Sequence, residues 1–336
     1  MPAKVTLKTL ARELGMSHMT VSRALNDHPN VSANVRERVL KLATEAGYVQ
    51  SASAKSLRGL KSGAVGLLLP NIVNEFYAQF AQAFGDLCAQ QRLNLVIHLT
   101  GEDEDRERQA LTQLRGLHAD TAIIVPTVRG HYGLAGPIGS GMRLLFLTRT
   151  PSDAPPAAAV EIDDQGAIAQ AVSHLANAGH QEIAFIGPTT ALSTGRSRHD
   201  AFLRAMHAAS LATPPERVIA GPPVYGHGRD AVRTLLASQA RPTAILCGGV
   251  EITRGAIEQL LEANIALGDD LAFVGYGDPT IYSWLCGGVS SIALPIDALA
   301  RSAFDLATAV SPPPAQRMTH DARLVVRRSS RAINRP

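Results

Sequence analysis

Leu14–Asn26 reads LGMSHMTVSRALN. Gly15 can take the left-handed conformation that closes a preceding helix. Two residues on, the Ser17 hydroxyl can accept from the free amides that open another. From His18 the apolar residues Val21, Ala24 and Leu25 recur at helical spacing. The stretch is therefore a tight turn followed by a short helix. Its remaining residues, His18, Met19, Ser22 and Arg23, form an outward mixture that a core would not require.

The neighbouring sequence completes a unit. Thr6 caps LKTLAREL, in which Leu7, Leu10, Ala11 and Leu14 share one face. Ser32 caps a third helix over 33–47, with Val35, Val39, Leu40, Leu42 and Ala43 available to a core. Three short helices with a tight turn between the first two make a helix-turn-helix domain. Residues 49–63, VQSASAKSLRGLKSG, are small, polar and basic, the composition of a linker or a marginal helix. From Ala64 the rhythm is strand, loop, helix, repeated: AVGLLLP, LNLVIHLT, TAIIVP, RLLFLT and AAVEID, then EIAFIGP, RVIAGP, TAILCGG, LAFVGYGD, SSIAL and finally ARLVVRRSS. Strands alternating with helices imply parallel, doubly wound sheets. The strands are too many for one small sheet, so two α/β lobes with a cleft between them are expected, with ligands at the carboxyl ends of the strands.

Composition narrows the function classes. The 336 residues are 46% hydrophobic and 18% charged, which describes a globular chain. No apolar run approaches the ~20 residues of a membrane span, and no secretory h-region opens the chain, so a cytoplasmic protein is expected. Cys88, Cys247 and Cys286 stand far apart without a CxxC pair, giving neither a disulfide framework nor a zinc site. No cofactor or metal is expected. GPPVYGHGRD holds a GxG but not GxGxxG, there is no Walker A stretch, and the eleven histidines form no HExxH, so nothing points to an enzyme. Charge is uneven. Residues 1–61 carry ten Lys/Arg against four Asp/Glu, a balance of +6, whereas the whole chain, with 32 against 29, carries +3. A basic head on a mildly acidic body is the footprint of a nucleic-acid reader.

VTLKTLARELGMSHMTVSRALN, VSANVRERVLKLATEAGYV and SLRGLKSGAVGLLLP, followed further on by NAGHQEIAFIGP, RPTAILC and LAFVGYGD, resemble the lactose/galactose repressor family of bacterial transcription regulators. The blocks run in order over essentially the whole chain. The resemblance implies a helix-turn-helix DNA-binding domain over 1–50, a hinge over 51–61, and a periplasmic-binding-protein-like core over 62–336. In that core a first lobe comprises about 62–159 plus 290–322, and a second about 160–289 plus 323–331. It also implies a homodimer on a pseudo-palindromic operator, switched by a small molecule. A secreted solute-binding protein would share the core without the basic head, and a purely architectural DNA binder would need no cleft. The tail RRSSRAINRP has no leucine heptads of the kind that build tetramers.

A recognition helix lies in the major groove with its first residues at the base edges. His18, Met19 and Arg23 are the expected base readers, Arg23 through a fork to guanine. Ser17, Thr20, Ser22 and Asn26 are expected near phosphates, as are Thr6 and Ser32 at helix N-termini. Leu57 matches the family's minor-groove wedge and Ala54 a small residue against the groove floor. Gln50-Ser51 and Lys55 stand where many members have Pro-Asn and Arg.

The same resemblance places the effector site at Phe76, Tyr77, Thr148, Arg198, Gly249, Gly277 and Asp278, and Arg129, after a strand end where cleft residues sit, is added to it. Here the sequence departs from the family. Thr148 stands where some sugar-binding members have Asp, Gly249-Val250 where Asn-Asp is usual, and Gly277 where the first Asp of an Asp-Asp pair is usual. Acceptors for sugar hydroxyls are lost while Arg198 is kept, with Arg129 and Arg149 also after strand ends. Arginine pairs bidentately with carboxylate or phosphate, so a sugar acid or sugar phosphate is expected. A neutral sugar, a purine or an inactive site are the alternatives.

Overall fold

The computed structural model describes residues 5–26, 28–48, 63–130, 132, 141–151, 156–309 and 315–332. The chain divides into two compact units, Met1–Lys61 and Ser62–Pro336. The hinge, with Ala54 and Leu57, lies outside the described residues.

In the first unit α1 (Leu7–Leu14), α2 (His18–Leu25) and α3 (Ala33–Glu45) are each opened by a hydroxyl. Thr6 and Thr9 exchange a reciprocal pair, the Thr9 amide donating to Thr6 Oγ1 and the Thr6 amide to Thr9 Oγ1. Ser17 Oγ accepts from the Thr20 amide at 3.1 Å and Ser32 Oγ from the Val35 amide at 3.4 Å. Gly15 ends α1 at φ 62°, a region glycine enters without a Cβ clash. Leu10, Val21 and Val39, one from each helix, are fully buried at the centre of a small core. So few apolar side chains suffice because the caps satisfy the helix ends.

The second unit contains two six-stranded sheets. The first has the order β11-β5-β4-β3-β1-β2, from β1 (Ala64–Leu69), β2 (Asn94–Leu99), β3 (Thr121–Ile124), β4 (Arg143–Leu147), β5 (Ala158–Asp163) and β11 (Arg317–Asp321), all parallel. The second has the order β12-β10-β9-β8-β6-β7, from β6 (Ile183–Pro188), β7 (Val218–Gly221), β8 (Ala244–Cys247), β9 (Ala272–Tyr276), β10 (Ser290–Ala293) and β12 (Arg323–Val325); only the β10–β12 pair is antiparallel. β1 shows why these runs are apolar throughout. Val65, Leu67 and Leu69 face α4 (Glu75–Gln90) and α10 (Ile296–Thr308), while Ala64 and Leu68 face α5 (Glu104–Gly116). A strand covered on both faces has no polar positions to alternate. The second sheet is covered likewise, by α6 (Asp164–Asn177) and α7 (Ser193–Ala208) on one side and by α8 (Tyr225–Ala237) and α9 (Val250–Glu262) on the other. Glycines let α8 and α9 approach closely: a Cβ on Gly228 would stand 2.0 Å from the Ile252 carbonyl oxygen, and one on Gly255 would stand 2.0 Å from that of Tyr225.

Two boundaries differ from the sequence reading. β5 keeps the chain in the first sheet through Asp163, and β10 belongs to the second sheet, so the return to the first lobe falls after Ala293 and not at 290. The small, polar SSIA of β10 is held by what it meets: the Ser290 amide donates to Ser329 Oγ and the Arg327 amide to Ser290 Oγ, and both Ser290 and Ser291 are fully buried. β11, RMTHD, has no strand signature in the sequence and forms by lying parallel to β5 at the sheet edge. Several helices also begin earlier than their apolar pattern, α7 at Ser193 and not Arg198, because buried Thr194 and Gly195 pack where large side chains would not fit. No described helix is long and apolar enough to cross a membrane.

Candidate functional site

On α2 the exposed residues sort cleanly. Met19 is 61% exposed, and Arg23, one turn on, shares its face; His18 opens the helix and is exposed. Thr20 is half-buried, with its hydroxyl 2.9 Å from Ser17 Oγ. Ser22, expected near a phosphate, is buried at 5% exposure, because the helical rotation carries it toward the side of Val21 and Leu25. Asn26 closes the helix, its side-chain amide donating to the Ser22 carbonyl at 2.6 Å. Thr6, Ser17 and Ser32 are exposed at three helix N-termini. The unit therefore presents one face with a flexible thioether, a guanidinium and an imidazole, flanked by helix ends whose dipoles favour anions.

The second unit contains a cleft at the carboxyl ends of both sheets. From the first lobe Phe76 and Tyr77 enter it from the first turn of α4, where the Asn74 side chain accepts from the Phe76 amide at 3.1 Å. Glu102 follows β2, and Thr148 and Arg149 follow β4. From the second lobe come Arg198 of α7, Gly249 and Glu251 at the start of α9, and Tyr276 at the end of β9.

Arg198 is 8% exposed and fixed on three sides. Nη1 donates to the Gly248 carbonyl at 2.9 Å, Nε lies 3.0 Å from Asp164 Oδ1, and the guanidinium rests 4.1 Å above the Tyr276 ring. The Tyr276 hydroxyl donates to the same Asp164 oxygen at 2.6 Å. Burial pushes the Tyr276 phenol well above its ordinary range, with Arg198 opposing, so it stays a donor. Arg149 is 6% exposed, and its Nη1 reaches both Glu102 oxygens at 2.9 Å. Tyr77 lies within electrostatic reach of both arginines; burial raises its phenol, Arg149 opposes, and Glu102 adds to the rise. A ligand here meets guanidinium donors, carboxylate and amide acceptors, and aromatic walls.

The structure brings Phe76, Tyr77, Thr148, Arg198 and Gly249 to this cleft, and separates three other predicted residues from it. Arg129 is exposed and does not line it. Gly277 and Asp278 line a neighbouring recess with Glu75, Gln79 and Arg323. Asp278 is occupied there: Arg327 donates to it twice, at 2.6 and 3.0 Å, and Ser291 Oγ once at 2.7 Å. Burial works against the Asp278 carboxylate, but these hydrogen bonds outweigh it and hold the carboxyl below its usual range. Asp278 is thus a structural anchor in the second lobe. The expected surplus of positive charge is also corrected, because both buried arginines already carry acid partners. Sequence reasoning missed Glu102, Asp164, Glu251 and Tyr276, and nothing in their local sequence distinguishes them from solvated acids or core aromatics.

Residues 6–51 match the model of the bacterial regulatory proteins of the lacI family, and residues 172–330 that of a periplasmic binding protein-like domain. The catabolite control protein A of Priestia megaterium is 27% identical, with 87% of this chain and 88% of the relative covered. The ribose operon repressor of Haemophilus influenzae is 26% identical, with 86% and 87% covered. The backbone is similar to that of the lac repressor dimer bound to operator and an anti-inducer, with a TM-score of 0.80 at 21% identity over 98% of this chain and all of that one. With its helix-turn-helix head and its cleft between two α/β lobes, the chain joins a lacI-family DNA-binding domain to a periplasmic-binding-protein-like domain, and the relatives it resembles over most of its length include named repressors.

Proposed function

We propose that this chain is a transcriptional repressor that acts in the cytoplasm as a homodimer on a pseudo-palindromic operator, and that its effector is a small polyhydroxylated anion, a sugar acid or sugar phosphate. The domains would run 1–50, 51–61 and 62–336. His18, Met19 and Arg23 would meet base edges; Thr6, Ser17, Thr20 and Ser32 would lie along phosphates; Ala54 and Leu57 would enter the minor groove. Support for the head is the exposed Met19–Arg23 face behind a capped turn. A guanidinium offers a guanine a bidentate contact, and a thioether can pack on a thymine methyl. Two-fold symmetry of the dimer would match the two half-sites.

The observation that carries the effector reading is the convergence of two buried arginines, Arg149 and Arg198, on one cleft from opposite lobes. A carboxylate or phosphate is the ligand group whose geometry matches a guanidinium fork, and the part-exposed Glu102 is an acid partner that such a group can replace on Arg149. A neutral sugar is the second reading, favoured by the acid partners Glu102 and Asp164, which balance both cations and offer acceptors to hydroxyls.

The test is a thermal-shift screen of sugar acids, sugar phosphates, neutral sugars and purines, since a ligand bound only to the folded state raises its stability by mass action. Ligands that shift the melt are then added to operator-binding titrations. Stabilisation by acids alone, with a matching change in operator affinity, supports the anion. Stabilisation by neutral sugars alone supports the second reading. Binding to random and selected DNA with equal affinity would remove the operator assignment, and a light-scattering mass other than that of a dimer would remove the oligomeric one.

A further inference from the structure

We infer that Glu102 is an internal stand-in for the acidic group of the effector, a specificity-determining residue that a ligand anion displaces from Arg149. The inference rests on the anionic-effector reading of the cleft. Its basis is an asymmetry between the two arginine–acid pairs.

The second-lobe pair is locked. Asp164 is 4% exposed, and its Oδ1 accepts from the Tyr276 hydroxyl and stands 3.0 Å from Arg198 Nε in an ion pair. Leaving would strand a buried cation and a buried phenol together. The first-lobe pair is different. The Glu102 side chain is 33% exposed, and Arg149 is its one hydrogen-bond partner among the described residues. It can rotate toward solvent without abandoning any other protein group. Behind it stands a second acid, Glu107, 1% exposed and held by Tyr132 and Thr127. Burial raises the Glu107 carboxyl, and the charge of Glu102 adds to the rise. Outward rotation of Glu102 relieves that repulsion.

Unusual backbone conformations stand at Glu102 and at the residue before Arg149. Gly101 and Glu102 are consecutive left-handed residues, φ 65° and 62°. They are pinned on one side by the Gly101 amide donating to the Pro70 carbonyl, and on the other by the Asp103 amide donating to the Thr100 carbonyl. Thr148, just before Arg149, is at φ 60° in a three-residue turn closed by the Arg149 amide donating to the Leu147 carbonyl at 2.7 Å. For a β-branched residue this is a costly conformation, and strain of this kind persists where the fold fixes a side chain for a purpose. Two strained loops thus aim one acid and one base at each other at the lip of the cleft. With Glu102 turned away, Arg149 keeps a weak bond to the Pro126 carbonyl at 3.4 Å and faces the ligand together with Arg198.

The experiment titrates inorganic phosphate and D-glucuronate, with D-glucose as neutral control, into wild type and the isosteric E102Q by calorimetry in chloride buffer. The expected result is tighter binding of both anions to E102Q, by about tenfold or more, as removal of one charged hydrogen-bond competitor predicts. The gain should vanish in E102Q/R149M. Anion binding to E102Q where wild type shows none supports the inference equally. Anions that bind both proteins with the same affinity, or bind E102Q more weakly, overturn it while leaving the anionic effector intact. Anions that bind neither protein, with D-glucose binding both, overturn it together with that reading.

Discussion

Replacing Arg198 by Met tests whether the cation at the base of the cleft is held as tightly as its geometry implies. The change removes the hydrogen bond to Gly248, the contact with Asp164 and the stacking on Tyr276, and it does so at a side chain with 9% of its surface exposed. Asp164 then keeps the hydrogen bond from the Tyr276 hydroxyl but loses its cation, at 4% exposure. Removing one partner of a buried pair costs about 3–5 kcal/mol, most of it the unpaired charge that remains. The charge can be removed as well. In D164N/R198M the amide oxygen still accepts from Tyr276 and no orphan carboxylate is buried, so about 2–3 kcal/mol of the loss should return. The assay is urea unfolding of the full chain followed by far-UV circular dichroism, with D164N measured to complete the double-mutant cycle. A single-variant loss below about 1 kcal/mol, or a double variant no more stable than R198M, would refute the claim that Asp164 is locked in place by Arg198 and Tyr276.

Arg23→Ala should cost about 1–3 kcal/mol on the preferred operator and little on random DNA, read in parallel binding titrations; equal losses would reduce Arg23 to a phosphate contact. Gly228→Ala places a methyl 2.0 Å from the Ile252 carbonyl oxygen; backbone cannot yield as a side-chain tip does, so α8 and α9 must separate, and a drop of several degrees in Tm is expected. Glu107 makes stability depend on pH. Its carboxyl is raised above 4.5 in the folded protein, chiefly by burial, so the folded state holds the proton more tightly than the unfolded chain. That contribution is complete below pH 4.5 and is lost as pH rises through the folded value. Melting curves should therefore show Glu107→Gln gaining on wild type as pH rises from 4.5 upward, and a constant difference would contradict it.

Much of the architecture was legible because it is written locally. The Thr6, Ser17 and Ser32 caps, Gly15 and the period of Leu10, Val21 and Val39 act within one or two helical turns, so three helices and their order follow from neighbours in the chain. The double-sided burial of β1 likewise appears as an unbroken AVGLLL. Resemblance over the whole chain then supplied the two-lobed core and Arg198, and the cleft contains that arginine.

The charge balance of the site was not legible. Arg149 meets an acid 47 residues earlier in the chain, and Asp164 meets a tyrosine 112 residues later. Nothing in TGEDED marks Glu102 as the one acid that turns inward, for that depends on two left-handed residues at the end of β2. Asp278, kept from the family pattern, faces Arg327 because β12 returns antiparallel to β10 and brings the following residues beside it. Ser22 faces inward by the rotation of α2, although its hydroxyl reads as a surface group, and β11 is a strand only because β5 offers a free edge. Caps and apolar periodicity act over a few residues and are therefore fixed by sequence; the pairing of buried charges acts through space, across a low-dielectric cleft, and was decided only when the two sheets brought their strand ends together.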